Sequence, residues 1–317
     1  MNKNLIRPIL FSIICLLLFI TMLICTFLFA GAHIRAALTD PQIEQEESTP
    51  ISPSKSPDQG DDVSPSKDPV IGSSKDNGFS EESALPSEPK EESPWLLVSG
   101  EDGGTAYQDS LIFLGDSTTY GLLDRGILSD GKASKQVWFG ISGHTITFKF
   151  HDTAKITDTY GETDLTKGYT IAEMAGNKKP PVLVITLGVT GGVSYFSNNM
   201  DEALFTTLYE KLINDILESS PDTKIICNSI YPVCKVVDST VDADITNENI
   251  SKANGWIKNV VKSNYESGKA VYYLDSYSQL IGEDGYLPAT YTNGDGLHLS
   301  DSALKAVLEL IRTHRIP

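Results

Sequence analysis

Ser117 is the first side chain of this sequence whose type and position could do covalent chemistry. It follows the apolar run 111–114 in the tripeptide Gly115-Asp116-Ser117. A short apolar run that ends in glycine predicts a buried strand, which would place Ser117 at the carboxyl edge of a sheet. A serine hydroxyl becomes a nucleophile when a base within about 2.6–3.2 Å takes its proton. Asp116 and Ser117 are also residue types that cap helices, so a purely structural role stays open.

A histidine suited to be that base lies in the glycine-rich turn 293–298, directly before the last predicted helix. Asp295 precedes His298 by three residues, so its carboxylate can reach the imidazole ring. Such a carboxylate fixes the ring tautomer and stabilises the imidazolium that forms when the base takes a proton. Taken alone, an Asp-x-x-His turn is also a common surface hydrogen-bond motif.

Together the two motifs resemble the end blocks of the SGNH (GDSL-type) hydrolase family, over roughly residues 107–317. Residues 115–117, Gly-Asp-Ser, match its first block, and residues 295–298, Asp-Gly-Leu-His, match its last. Residues 139–145 look like the second block, with Gly143 as the matching glycine. The third block, Gly-x-Asn-Asp, departs from the family pattern, because residues 188–191 read Gly-Val-Thr-Gly.

The resemblance implies acyl-ester chemistry, with Ser117 as nucleophile, His298 as base and Asp295 as the group that orients the base. The acyl-enzyme would then pass its acyl group to water, as in an esterase, or to a sugar hydroxyl, as in an O-acyltransferase. Small acyl groups such as acetyl, on carbohydrate of the cell envelope, are the expected substrates. The alternative is a catalytically weak or inactive module that keeps the fold for carbohydrate binding or envelope assembly.

The resemblance also implies an oxyanion hole, built from the backbone amides of Ser117 and Gly143 and a side-chain donor from the third block. Thr190 stands where the family has asparagine, so its hydroxyl is the expected donor. Asp116 is grouped with Gly143 and Thr190 as a substrate-binding residue. Asn198 or Asn199, a few residues further on, is the alternative donor if Thr190 is only a turn residue.

The elements that must position these residues alternate between strands and helices, which predicts an α/β fold. Five apolar segments predict five strands, at 111–114, 137–139, 182–187, 224–229 and 270–274. Apolar residues spaced four apart predict helices over 200–218 and 246–265, and Ser300 or Asp301 caps a last helix through 311. We therefore expect a three-layer α/β/α sandwich with a mostly parallel five-stranded sheet.

The N-terminal segment 8–31 contains no charged residue and matches the length of about 20 residues that spans a membrane. Lys3 and Arg7 precede it, which predicts a cytoplasmic N-terminus and an extracellular remainder. The alternative is a cleaved signal peptide with Ala30-Gly31-Ala32 as its cleavage site. The predicted domains are a cytoplasmic tip and signal-anchor (1–39), a disordered acidic linker (40–95) and an SGNH-like hydrolase domain (96–317).

The linker holds 9 of the 16 prolines, and 14 acidic residues against 4 lysines. So few large apolar residues cannot offset the entropy of ordering, which predicts a stalk that keeps the domain off the bilayer. The formal net charge of −17 argues against a nucleic-acid partner, because phosphate binding needs a basic face. No ligand-spaced cluster of metal-binding residues occurs, so we expect no metal or cofactor, and the protein is expected to be monomeric. Cys227 and Cys234 are expected as free thiols, with a disulfide as the alternative.

Overall fold

The structure is a computed structural model that describes residues 93–128, 134–237 and 239–317. All of them belong to one of the two units into which the chain divides, Ser83–Pro317. Within these residues, no helix combines the length and the apolar character that crossing a membrane requires. The predicted anchor at 8–31 and nearly all of the predicted linker lie outside the described residues, and both stay predictions.

A six-stranded sheet forms the centre of this unit. Its strands are β1 (Leu111–Gly115), β2 (Val137–Gly140), β3 (Ile156–Thr157), β4 (Val182–Thr186), β5 (Lys224–Asn228) and β6 (Val271–Leu274). They lie in the order β3-β2-β1-β4-β5-β6. All neighbours are parallel except β3, which runs antiparallel to β2.

The prediction of five strands was wrong by one, because β3 was missed. This strand has two residues, Ile156 and Thr157, which pair with Gly140 and Phe139 at the edge of the sheet. A strand of two residues is too short to show an alternating apolar pattern in the sequence. The other five strands lie where the apolar segments predicted them.

Helices cover both faces of the sheet, which confirms the α/β/α sandwich. They are α1 (Gly104–Asp109), α2 (Ser117–Asp124), α3 (Ile171–Lys178), α4 (Glu202–Ser219), α5 (Asn247–Glu266), α6 (Ser276–Leu280) and α7 (Asp301–Thr313). The predicted ends of the two long helices hold to within two residues. Their first predicted turns include the caps Asp201 and Thr246, whose side chains accept hydrogen bonds from backbone N–H groups of the first turn.

The core consists of two apolar clusters, one on each face of the sheet. In β4, Leu183 and Ile185 belong to the cluster that includes α3, α4 and α5. Val182 and Val184 belong to the cluster that includes α2 and α7. Successive side chains of a strand point to opposite faces. A strand covered on both sides therefore reads as the unbroken apolar run that made β4 the strongest prediction in the sequence.

The two cysteines of the described region are both buried and free. Cys227 lies in the cluster against α4 and α5, whereas Cys234 lies in the cluster on the other face of the sheet. Burial raises the pKa of the Cys227 thiol to about 12, which keeps it protonated and unreactive. The expectation of two free thiols is confirmed, and the disulfide is not formed.

His151 is buried against Phe148 and is the basis of a pH prediction. Its Nδ1–H donates to the Phe148 carbonyl at 2.8 Å, and its Nε2 is buried without a partner in the described structure. Burial lowers the pKa of the ring, although Asp152 and Asp215 act in the opposite direction. The unfolded chain therefore binds the proton more readily, and stability must fall as pH drops below about 6.5.

We expect His151→Asn, whose amide can still donate to the Phe148 carbonyl but cannot titrate, to reduce this loss of stability. Urea unfolding at pH 8 and at pH 5 measures it as the change in unfolding free energy between the two conditions. An equal change in the variant and the natural protein would assign the acid sensitivity to other groups. The His314→Asn variant, at a histidine near the chain end, controls for the mere loss of an imidazole.

Candidate active site

The strand order creates an opening at the carboxyl edge of the sheet. From β1 the chain passes to β2 on one side and later returns to β4 on the other side of β1. In such sheets the loops after these strands diverge and leave a crevice in which ligands bind. Ser117 follows β1, the loop 141–145 follows β2, and Thr190 follows β4.

Ser117 is the first residue of α2, and Asp116 is its N-cap. The Asp116 carboxylate accepts hydrogen bonds from the backbone N–H of Thr118 at 3.1 Å and from its hydroxyl at 2.7 Å. The capping interpretation of Asp116 is therefore correct. It leaves the Ser117 side chain half-buried at the positive end of the helix dipole, where developing negative charge is stabilised.

The structure brings Ser117, His298 and Asp295 into one hydrogen-bonded line. His298 Nε2 lies 2.8 Å from Ser117 Oγ, and His298 Nδ1 lies 2.6 Å from Asp295 Oδ2. The other Asp295 oxygen accepts the backbone N–H groups of Leu297 and His298, each at 2.8 Å. A carboxylate accepts only, so the His298 proton is on Nδ1 and Nε2 is free to accept the serine proton.

Asp295 remains ionised in this arrangement. Partial burial opposes its charged form, but the hydrogen bonds from the His298 ring and from the His298 and Leu297 amides outweigh it. The pKa of the carboxyl is lowered as a result. A charged Asp295 at neutral pH can stabilise an imidazolium on His298.

The turn around Asp295 is held by its own backbone and side chains. The Thr292 hydroxyl accepts the N–H groups of Gly294 and Gly296, at 3.2 and 2.9 Å. The Asn293 N–H donates to the His298 carbonyl at 2.9 Å, which closes the turn. Ser300 then caps α7, as one of the two predicted caps. This closed turn holds the Asp295 carboxylate against the ring of His298, three residues further along the chain.

Ser117 lines a cavity of about 400 Å³, most of whose lining residues are polar or charged by type. Gly143 lines it, as predicted, and so do three residues that the sequence did not single out: Tyr120, His144 and Asn293. The rings of Tyr120 and His144 stack with centroids 4.5 Å apart and planes 3° from parallel. Burial, with Asp124 second, raises the pKa of Tyr120 to about 12, so this phenol stays neutral.

His144 has a backbone φ of 60°, a left-handed conformation that non-glycine residues seldom adopt. Strained residues of this kind concentrate at functional sites. Its position next to Gly143 was the one sequence signal that could have found it. Nothing in the sequence pointed to Tyr120, which reaches the cavity because it lies one turn along α2 from Ser117.

The structure does not place Asp116 or Thr190 in the wall of this cavity. The Asp116 carboxylate is buried. It contacts Thr118, and the Thr190 N–H donates to it at 3.5 Å. Burial raises the pKa of Asp116, and the hydrogen bonds from Thr118 only partly offset it. Asp116 therefore joins the loop after β1 to the loop after β4 instead of facing the cavity. Asn198 and Asn199 are exposed and do not line the cavity either.

Packing explains why residues 190–191 depart from the third-block pattern. The Thr190 carbonyl accepts the Phe148 N–H at 2.8 Å. At Gly191, φ is 77°, and an added Cβ would stand 2.4 Å from the Thr147 methyl group. Segment 147–149 thus occupies the space where a larger side chain at position 191 would lie.

A buried polar network supports the edge of the sheet below the site. The Asn228 amide donates to Thr186 Oγ1 at 3.0 Å and to the Tyr231 hydroxyl at 3.2 Å, and its carbonyl accepts the Ser276 hydroxyl. These groups tie the carboxyl ends of β4 and β5 to the start of α6. A hydrogen-bonded network of buried groups is rigid, so it holds the strand ends that carry the site.

No group of three or more potential ligands is positioned to hold a metal ion in the part of the chain that the structure describes. The groups that the site does offer are a serine hydroxyl, an imidazole, a carboxylate and backbone amides. These are the groups needed for nucleophilic acyl transfer.

The sequence model of the GDSL-like lipase/acylhydrolase family matches residues 113–306, which is more than half of the chain. The chain belongs to this family. Membership makes acyl-ester hydrolysis its class of chemistry, and the match spans both end motifs, from Ser117 to His298.

Solved structures similar to this GDSL-family chain share little sequence with it. An acylhydrolase candidate from Bacteroides fragilis is 15% identical over 66% of this chain and 92% of that chain, with a TM-score of 0.45. A GDSL-like lipase from Bacteroides thetaiotaomicron is 15% identical over 64% and 89%, with a TM-score of 0.37. A family 3 carbohydrate esterase from Clostridium thermocellum is 18% identical over 63% and 91%, with a TM-score of 0.36. No curated protein sequence matches the chain.

Proposed function

We propose that this protein is a serine esterase that removes small O-acyl groups, such as acetyl, from carbohydrate of the cell envelope. The observation that carries the proposal is the hydrogen-bonded line from Ser117 Oγ through His298 to Asp295, with separations of 2.8 and 2.6 Å. These are the distances at which a serine proton can pass to a base that a carboxylate orients.

In the first half of the reaction, Ser117 Oγ attacks the ester carbonyl carbon while His298 Nε2 takes the hydroxyl proton. The carbonyl oxygen becomes an oxyanion and accepts hydrogen bonds from the Ser117 and Gly143 amides, near the positive end of α2. Collapse of the tetrahedral intermediate breaks the bond to the sugar oxygen, and His298 returns its proton to that oxygen. Water then attacks the acyl carbonyl while His298 Nε2 takes one of its protons. Collapse of this second intermediate breaks the bond to Ser117 Oγ, and His298 returns the proton to that oxygen as the acid leaves.

The residues that line the cavity favour a substrate with a small acyl group on a polar molecule such as a sugar. Tyr120, His144, Asn293 and Asp295 offer hydrogen-bonding groups around Ser117. A long acyl chain would need an extended apolar wall, and Leu299 is the one aliphatic side chain among the residues that line this cavity. His144 is exposed and stacks on Tyr120 through one face, so the other face of the imidazole is where the carbon face of a sugar ring would pack.

Activity-based labelling tests the proposal directly. A fluorophosphonate should label Ser117 in the full chain, and His298→Ala should abolish the labelling because no base remains to take the proton. Hydrolysis should be fastest for p-nitrophenyl acetate and acetylated polysaccharides and slower for longer acyl esters. A folded protein that resists the fluorophosphonate would favour the non-catalytic binding module. Acyl transfer to added sugar, in place of released acetate, would favour an O-acyltransferase.

The proposed location is the outer face of a cell membrane, with segment 8–31 as a single-pass anchor and residues 40–95 as a stalk. The apolar length of that segment and the charges of Lys3 and Arg7 support this topology. Protease added to intact cells should then release the hydrolase domain by cutting the stalk. Native protein that is recovered in the medium with His33 as its first residue would replace the anchor with a signal peptide.

A further inference from the structure

We infer that the hydroxyl of Thr145 is the side-chain donor of the oxyanion hole, in the role that the third-block asparagine has in the family. The inference rests on the proposed esterase function. It replaces the expectation that Thr190 supplies this donor, and it assigns a role to a residue in the loop after β2.

The first observation is the hydrogen bond from the Ser117 N–H to Thr145 Oγ1, at 3.3 Å. The Ser117 amide is one of the two backbone donors of the proposed oxyanion hole. An atom that accepts from this amide lies where the oxyanion must lie, or directly beside it. Thr145 Oγ1 is therefore within reach of the reacting oxygen.

The second observation concerns the proton of this hydroxyl. A threonine hydroxyl accepts and donates at the same time. Thr145 Oγ1 accepts from Ser117 N–H, but within the described residues its own proton has no acceptor. The bond from Ser117 is long, so an incoming carbonyl oxygen can take over the amide at little cost. The hydroxyl can then donate to the same oxygen as negative charge develops on it.

The third observation is that the backbone holds Thr145 firmly in this place. At Gly140, the last residue of β2, an added Cβ would stand 1.9 Å from the Thr145 carbonyl oxygen. The next residue, Ile146, is fully buried in the core cluster beside α4 and α5. A donor on an immobile backbone needs no rearrangement during the reaction, which is the condition for strong oxyanion stabilisation.

Thr145 also remains accessible. It lines an adjoining cavity of about 380 Å³, together with Ser142 and Thr153. Gly143 and His144 line the cavity of Ser117, so the loop 142–145 separates the two. Thr145 itself lines only the adjoining cavity of these two, and the hydrogen bond from the Ser117 amide is what places its hydroxyl beside the nucleophile.

The loop after β4 makes other contacts, which explains why Thr145 and not Thr190 would supply the side-chain donor. Thr190 directs its N–H toward Asp116 and its carbonyl toward Phe148, and Gly191 is packed under Thr147. The segment that fills this space, 147–149, directly continues the chain from Thr145. The same stretch that leaves no room for a third-block side chain thus brings a hydroxyl to the oxyanion position.

Steady-state kinetics of the full chain on p-nitrophenyl acetate test the inference. Thr145→Val keeps the branched shape and removes the hydroxyl, so kcat should fall by about 100-fold. KM should change little, because the donor acts mainly in the transition state. Thr145→Ser restores the hydroxyl and should keep kcat near that of the natural protein. A loss caused only by disturbed packing would not be rescued in this way.

Two matched variants control the comparison. Thr153→Val removes a hydroxyl from the same cavity, where it bonds only the Phe150 carbonyl at 3.3 Å, and should leave kcat unchanged. Thr190→Val should also retain kcat. Thermal melting shows whether each variant is folded. If Thr145→Val does not fold, the ratio of kcat between Thr145→Ser and Thr145→Ala takes its place.

Three results would overturn the role of Thr145 while the proposed function stands. They are an unchanged kcat in folded Thr145→Val, a raised kcat that would make the hydroxyl an obstacle, and a loss that appears in Thr190→Val instead. Equal, negligible turnover in the natural protein and in Ser117→Ala would overturn the esterase function, and the role of Thr145 with it.

Discussion

Ser117→Ala is expected to lower kcat on acetyl esters by about 10⁴-fold or more, with the fold unchanged. The substitution removes the oxygen that forms the acyl-enzyme, and neither His298 nor the backbone amides can replace it. Within the described residues the Ser117 hydroxyl bonds only to His298, at 2.8 Å, so alanine removes one hydrogen bond from the folded protein. Turnover of p-nitrophenyl acetate by purified full-length protein, measured beside its thermal melting curve, checks both parts of the expectation.

The matched control is Ser142→Ala, at an exposed serine in the wall of the adjoining cavity. Its turnover should equal that of the natural protein, which separates loss of the nucleophile from loss of any nearby hydroxyl. Substantial turnover in Ser117→Ala would show that a different group attacks the ester and would remove Ser117 from the mechanism.

Asp295→Asn is expected to lower kcat by about 10⁴-fold, by changing the tautomer of His298. Asp295 Oδ1 accepts two backbone N–H groups, and the asparagine carbonyl can take over that position. The asparagine NH₂ would then face His298 Nδ1 and make it an acceptor. The ring proton would move to Nε2, where it blocks uptake of the proton from Ser117.

Asp222→Asn is the matched control for this charge change. Asp222 is exposed in the turn before β5, at the end of the sheet opposite to the site, so its loss costs little. Its kcat should stay near that of the natural protein. A nitrogen NMR spectrum of the His298 ring would show the tautomer directly. An Asp295→Asn protein with normal turnover would mean that the backbone alone orients the base.

The apolar pattern was sufficient to predict the sheet and its helices because burial on both faces leaves a strong signal. β4 shows this most clearly, with five consecutive buried residues. β3 shows the limit, since Ile156 and Thr157 become a strand only through pairing with β2, and local sequence cannot encode a partner that lies elsewhere in the chain.

The residues of the candidate site also fall into those that the sequence indicated and those that only the structure revealed. The short motifs around Ser117, Asp295 and His298 were visible in the sequence, and the resemblance of the two motifs to family blocks predicted that they act together. Local sequence was not enough for Tyr120, His144 and Thr145. Their side chains are ordinary by type, and they acquire a role only from the strand order that brings the loops after β1 and β2 together.

Thr190 shows how a correct position in the sequence can lack the expected contacts. It follows the strongest strand, as a third-block residue should, but its backbone is held by Asp116 and Phe148. The sequence by itself determined the fold class and the two end motifs, because these depend on local pattern, and the family resemblance of those motifs predicted that Ser117, His298 and Asp295 act together. Only the tertiary structure decided which hydroxyl meets the Ser117 amide, because that depends on how segment 145–149 packs against the loop after β4.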